Sequence, residues 1–151
     1  MMKHPGIVAA VLTTLLRVPG TPAQTPAASP EETAKTLVHA IETNDVELLL
    51  GVFDDGATVF MPGAPQARLS GKTEIRQAFE SLFKNGRRGT ITPRDMANQS
   101  LGDTAIVTFH IELAAQPGRP VSLARRTLVL HRTGRRWLVV HLHASNLAVA
   151  G

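Results

Sequence analysis

Hydrophobic residues recur at helical spacing in the first half of the chain and alternate with polar residues in the second half. Ser29 begins the first helix, and Glu32 completes a capping box with it. A second, shorter helix follows Asn44 and carries Phe53 on its inner face. The spacing of apolar residues predicts a third helix over 72–84.

Alternating patterns bounded by turn residues predict five strands. One is short, at 57–61, and four longer ones cover 88–99, 104–115, 121–131 and 137–147. Gly134 lies at the bend of the hairpin that joins the last two strands. This order predicts an α+β fold in which three N-terminal helices pack on one face of a curved, mostly antiparallel sheet.

The N-terminal residues have the organisation of a secretory signal. A basic start at Lys3 and His4 precedes an apolar run over 7–16, and the small residues Thr21 and Ala23 suit a cleavage site. The run is too short for an anchor, because spanning a bilayer takes about 20 apolar residues. A mis-assigned start codon is the alternative. We expect a periplasmic or secreted protein that leaves the membrane after cleavage, with a signal peptide at 1–23, a linker at 24–29 and one domain at 30–148.

Composition limits the chemistry that this chain can perform. Of 151 residues, 43% are hydrophobic and 19% are charged, and the chain has neither Cys nor Tyr. Cysteine nucleophiles, thiolate metal ligands and phenol acids are therefore excluded. Removing the predicted signal takes out Lys3 and Arg17 and lowers the net charge from +4 to about +2, and aromatic residues are few, so no nucleic-acid partner is expected. SGKT at 70–73 lacks the glycine of a phosphate-binding loop, because Gln66 stands there, and no cofactor is predicted.

Strand parity divides the predicted sheet into an apolar face and a mixed face. Pairing the last two strands around their turn places three pairs on the mixed face: His131–Trp137, Thr127–His141 and Arg125–His143. The apolar face then lies under the helices and contains Arg126, Leu128, Leu130, Leu138, Val140 and Leu142.

Two interpretations fit the mixed face. A His-x-His pair in a strand presents two imidazoles on one side, which suits zinc with His110 or Glu112 as a third ligand. A surface that combines histidines with large apolar side chains is more typical of a subunit interface. We therefore predict no metal and a homodimer interface formed by Arg125, Thr127, Trp137, Val139, His141 and His143.

The C-terminal segment LVLHRTGRRWLVVHLHAS resembles the end of the association domain of calcium/calmodulin-dependent protein kinase II, and that of bacterial SnoaL-like proteins. Both belong to the nuclear transport factor 2-like superfamily, whose best-known enzyme is ketosteroid isomerase. The resemblance extends over 31–147 and includes the segments FDDGATVFMPGAP and LSGKTEIRQAF. It implies a conical fold, a pocket between sheet and helices, and a dimer formed through the sheet.

The functional residues of these relatives are poorly matched. Ketosteroid isomerase uses a tyrosine, which this chain lacks. The pocket arginines of association domains correspond to Ile111, Leu128 and Ala144 here, so the resemblance implies a more apolar pocket. Arg126 would be the charged group on its wall. It either binds a ligand carboxylate or ties sheet to helix by pairing with Asp54, Asp55 or Glu80.

Three functions remain open at this point. The favoured one is an exported domain that binds a small apolar molecule. The second is an isomerase, dehydratase or cyclase, which needs an acid–base group inside an apolar cavity, although the sequence identifies no catalytic residue. The third is an oligomerisation domain without a small ligand. The predicted pocket lining is Phe53, Phe60, Phe79, Phe83, Phe109, Ile111, Arg126 and Leu128.

Overall fold

The computed structural model describes residues 28–64, 66–85, 90–114 and 122–147. Its helices are α1 (Pro30–Thr43), α2 (Val46–Gly51) and α3 (Gly71–Lys84). Its strands are β1 (Phe53–Phe60), β2 (Leu69–Ser70), β3 (Thr90–Leu101), β4 (Thr104–Ala114), β5 (Ser122–Thr133) and β6 (Arg136–Asn146). The predicted signal peptide and residues 24–27 of the predicted linker lie outside the described residues.

The six strands form one sheet in the order β2-β1-β6-β5-β4-β3. β1 runs parallel to β6, and the other neighbours are antiparallel. All three helices come before β3, and their apolar sides pack on one face of the sheet. The predicted α+β class is therefore confirmed. Only the two-residue strand β2 lacks a counterpart in the sequence prediction, because two residues carry no alternation.

Local signals explain where the first helices begin and end. The Glu32 amide donates to Ser29 Oγ at 3.1 Å, and the Ser29 amide donates to Glu32 Oε2 at 2.7 Å, which completes the capping box. Asn44 ends α1 in the left-handed conformation with φ 57°. Asp45 then caps α2 by accepting from the Leu48 amide at 2.9 Å.

Phe53 lies in a strand, so its predicted place on the second helix is wrong. α2 ends at Gly51, and the Val139 amide donates to the Val52 carbonyl at 2.8 Å. Phe53 then pairs with Val139 at the start of β1. Pairing with β6 thus overrides the helical spacing that Phe53 shares with the residues before it.

The core lies between the helices and the face of the sheet that they cover, which we call the inner face. The side chains of this core are fully buried on both layers; the largest include Leu37, Leu49, Phe53, Ile75, Leu128, Leu130 and Val139. Thr33 is the buried polar side chain of this core among the described residues, and its hydroxyl donates to the Ser29 and Trp137 carbonyls. This contact joins α1 to β6.

The register of the last hairpin differs from the predicted one. Thr133 pairs with Arg136 across a two-residue turn that Gly134 begins with φ 62°. Leu130 pairs with Val139, whereas Val129 pairs with His141, so Val140 is an extra residue in β6. Such a β-bulge changes which residues face each side. Near the turn, Val139 therefore points into the core, and the predicted inward positions of Leu138 and Val140 are wrong.

Candidate functional site

A small pocket opens between the inner face and the helices; we call it the inner pocket. Its volume is about 120 Å³. Its walls come from the end of α1, the end of β1, α3, β5 and β6, and are mainly apolar. They are formed by Ile41, Met61, Pro62, Phe79, Leu82, Arg126, Leu142, Ala144 and Asn146.

Arg126 is the one charged side chain among the described residues that line the inner pocket. In β5 it pairs with Phe109 of β4 and with Ala144 of β6, so it shares the inner face with them. Its Nη1 donates to the carbonyl of Arg125 at 2.7 Å. The side chain is partly buried.

The carboxylates predicted as partners of Arg126 make other contacts. Asp54 accepts from the Gly56 amide at 2.9 Å. Asp55 forms an ion pair with Lys72 at 2.8 Å, and this hydrogen bond lowers the pKa of its carboxyl group. Glu80 lies 3.7 Å from Arg76. None of these three carboxylates lines the inner pocket.

The predicted pocket residues separate into three groups. Phe79 and Arg126 line the inner pocket. Phe83 is half-buried and packs against the core. The others that face inward fill the core below the pocket: Phe53, Phe109, Ile111 and Leu128. The lining residues Met61, Leu82 and Asn146 were not predicted, because each lies at the end of its element, where spacing gives the weakest signal.

The predicted place of Phe60 in the pocket lining is wrong. Phe60 lies on the opposite face of the sheet, which we call the outer face. Val59 pairs with the buried Leu142, so its neighbour Phe60 must point away from the helices. Its side chain is 40% exposed. The ring packs edge-on against His141 and His143, with centroid distances of 5.5 and 6.1 Å.

His141 is held by a neighbour on β1. Its Nδ1 lies 2.8 Å from the Thr58 hydroxyl, and the two residues are directly paired across the strands. Burial lowers the pKa of His141, and the nearby charge of His143 lowers it further. The imidazole is therefore neutral near pH 7. Its Nδ1 and the Thr58 hydroxyl can then form one hydrogen bond, in which the tautomer of the ring decides which group donates.

The far side of the outer face carries paired charges. Arg94 Nη2 contacts Glu112 Oε2 at 3.1 Å, and His110 Nδ1 lies 3.2 Å from Asp95 Oδ2. Asp95 lies at a bulge in β3 with φ 52°. In the described part of the chain, no group of three His, Cys, Asp or Glu side chains is arranged to hold a metal ion. The zinc alternative therefore has no ligand set among these residues.

Four of the six predicted interface residues lie on the outer face. Arg125 and His143 are exposed there, and Thr127 and His141 are half-buried. Val139 is fully buried, and Trp137 packs partly buried against the core with the Arg132 guanidinium 5.9 Å from its ring. The bulge at Val140 explains both corrections, because the parity on its two sides differs.

A family model for the SnoaL-like domain matches residues 31–150. The chain belongs to this family. No curated protein shows a significant match to this SnoaL-like domain. Among the described residues, no helix is both long and apolar enough to cross a membrane.

Solved structures share the fold of this SnoaL-like domain at low sequence identity. A proposed calcium/calmodulin-dependent protein kinase type II association domain from Thiobacillus denitrificans has a TM-score of 0.72 at 19% identity, covering 82% of this chain and 99% of the other. A proposed dehydratase of the NTF2-like family from Streptomyces avermitilis has a TM-score of 0.65 at 23% identity, covering 78% and 92%. A proposed ketosteroid isomerase from Parabacteroides distasonis has a TM-score of 0.66 at 17% identity, covering 79% and 88%. The conical fold expected from the resemblance is thereby confirmed.

Proposed function

We propose that this SnoaL-like domain binds a small apolar carboxylic acid in the inner pocket. The observation that carries this proposal is the position of Arg126 on an otherwise apolar wall beside Phe79, Leu142 and Ala144. A guanidinium binds a carboxylate through parallel N–H···O bonds, and the apolar walls would cover the hydrocarbon part. Asn146 supplies a second polar group at the same pocket.

Binding is favoured over the isomerase or dehydratase alternative by the chemistry of the lining. General acid–base catalysis needs a group that exchanges protons near the working pH. Among the described residues of the inner pocket, the polar side chains are Arg126 and Asn146. An arginine stays protonated and an amide does not titrate, so neither suits that task.

Calorimetric titration with hexanoate tests this proposal. Replacing Arg126 with Gln should weaken hexanoate binding about tenfold to a hundredfold, since hydrogen bonds to charged groups contribute about 1.5–3 kcal/mol. Arg125→Gln is the matched control, because Arg125 is the neighbouring residue on the outer face and should leave the affinity unchanged. Equal affinities of the wild type and Arg126→Gln would contradict the proposal.

We also propose that two copies associate through the outer face. The large exposed hydrophobic residues of the described chain, Phe60, Leu101 and Leu123, all lie on that face. Its charges are largely paired within the protomer, as in Arg94–Glu112 and His110–Asp95, so a second copy would meet little net charge. A related structure is described as an association domain, which supports assembly.

Sedimentation equilibrium measures this association. The double substitution His141→Ala and His143→Ala should weaken the dimer about tenfold, because it removes the rings that support Phe60. His39→Ala on the exposed side of α1 serves as the control. A wild-type protein that stays monomeric at high concentration would exclude the dimer.

Export is the remaining part of the proposed function. The basic start, the apolar run and the small residues at Thr21 and Ala23 support cleavage after Ala23. Mass spectrometry of protein purified from its source should then find Gln24 as the first residue. Recovery of the intact Met1 or Met2 terminus would contradict export by this route.

A further inference from the structure

A second pocket, of about 360 Å³, lies between α3 and the loop that follows β1; we call it the loop pocket. It shares three wall residues with the inner pocket: Met61, Pro62 and Leu82. These three side chains therefore border both pockets. Met61 and Leu82 are half-buried, and methionine has a flexible, unbranched side chain that adapts to irregular spaces.

The loop pocket differs chemically from the inner pocket. Gln77, Ser81 and Asn85 lie four residues apart and form one line of neutral polar groups along α3, with Gln66 opposite on the loop. No hydrogen bond joins these four side chains to another described residue. The charged residue of this lining, Glu74, already accepts from the Ser70 amide at 2.7 Å.

The volume of each pocket limits the ligand that it can hold alone. Pockets that enclose drug-sized ligands have volumes of about 300–1,000 Å³. The inner pocket, at about 120 Å³, is smaller than this range and has room for only a short apolar acid. A larger ligand that binds Arg126 would extend beyond the inner pocket, and on the side of Met61 and Leu82 it would reach the neutral hydrogen-bonding groups of the loop pocket.

We infer that the inner pocket and the loop pocket form one bipartite site for an apolar acid that carries a neutral, hydroxyl- or amide-bearing tail. The inference rests on the proposed binding of a carboxylate at Arg126. The acid head occupies the inner pocket, the hydrocarbon part passes Met61 and Leu82, and the tail binds along Gln77 and Ser81. The neutral donors and acceptors of Gln77 and Ser81 match the hydrogen-bonding groups of such a tail.

Titration of the full chain with two probes tests the inference. Hexanoate supplies the head alone, and 6-(β-glucopyranosyloxy)hexanoate supplies the same head with a neutral polyol tail. The glucoside should bind about tenfold more tightly, since two additional hydrogen bonds contribute about 1.4 kcal/mol in total. The double substitution Gln77→Ala and Ser81→Ala should abolish this gain without changing the affinity for hexanoate. Both positions are exposed on a helix, so alanine is well tolerated.

The outcomes separate the two proposals. Equal affinities for hexanoate and the glucoside, or a gain that survives the double substitution, would overturn the bipartite site while leaving carboxylate binding at Arg126 intact. Absence of hexanoate binding, or an affinity for hexanoate that Arg126→Gln leaves unchanged, would overturn the proposed function itself. Thr73→Ala is the matched control on α3, because Thr73 is exposed and lines neither pocket. It should keep the full preference for the glucoside.

Discussion

The two faces of β5 differ in how deeply their side chains are buried. Leu128 and Leu130 are fully buried on the inner face, whereas Leu123 is 41% exposed on the outer face. Arg126 stands with the inward-facing leucines, and Arg125 stands next to it on the other side. Because side chains alternate along a strand, neighbours in sequence meet different chemistry.

If the proposed dimer forms, the difference between the two faces separates folding from association. The inner face contributes to folding through close packing against the helices, apart from the small pocket at Arg126. The outer face carries histidines, threonines and paired charges, together with three exposed hydrophobic residues. Substitutions on the inner face should therefore change the free energy of unfolding, and those on the outer face should mainly change association.

The largest effect is expected from the same substitution on the two faces of β5. Leu128→Ala should lower the free energy of unfolding by about 2–5 kcal/mol, because it leaves a cavity in a packed core. Leu123→Ala should change it by about 0.5 kcal/mol or less, as is usual for surface positions. Urea unfolding followed by circular dichroism measures both values. Similar losses for the two variants would show that the faces are not distinct.

A smaller effect is expected at the bulge in β6, where two adjacent valines differ in burial. Val139→Thr should cost about 1–3 kcal/mol, because it places a hydroxyl group in the core without a partner. Val140→Thr is the matched control, and its half-exposed position should make the cost far smaller. A larger loss of stability for Val140→Thr than for Val139→Thr would show that Val140 points into the core, as strict alternation predicts.

This bulge marks the limit of what the sequence could predict. The helix caps at Ser29 and Asp45 and the hairpin at Gly134 are local signals, and the structure confirms them. The sheet face predicted for Trp137 and for Val139 was wrong, because alternation assumes an uninterrupted strand. One extra residue at Val140 leaves no mark in the hydrophobic pattern.

The site was predictable only in part, for a related reason. Arg126 was found because a charge in an apolar row is conspicuous, and Phe79 because it lies on the apolar side of a regular helix. Phe60 was misplaced because its orientation depends on parallel pairing with β6, a contact between residues 83 positions apart, as for Thr58 and His141. Long-range pairing of this kind is not encoded in local spacing.

The smallest expected effect concerns pH and the outer face. Burial and His143 lower the pKa of His141 in the folded protein, so the unfolded chain binds a proton more readily. The contribution of His141 to stability is therefore fully present above about pH 6.5, the ordinary histidine value, and declines as the pH falls below it. His141→Gln, which can keep a hydrogen bond to Thr58, should remove this decline and flatten the dependence of stability on pH.

The measurement is urea unfolding of the wild type and of His141→Gln at several values between about pH 5 and pH 8, above the range in which carboxylates titrate. The difference between the two proteins reports on His141 together with its coupling to His143, since the remaining side chains, including the Arg94–Glu112 pair, are the same in both. His39→Gln on the exposed side of α1 is the control and should follow the wild type. A difference that stays constant with pH would mean that the environment of His141 does not disfavour its charged form. The half-buried contact of His141 with Thr58 and Phe60 would then be open to solvent, and the outer face would lose its strongest structural distinction from an ordinary exposed sheet.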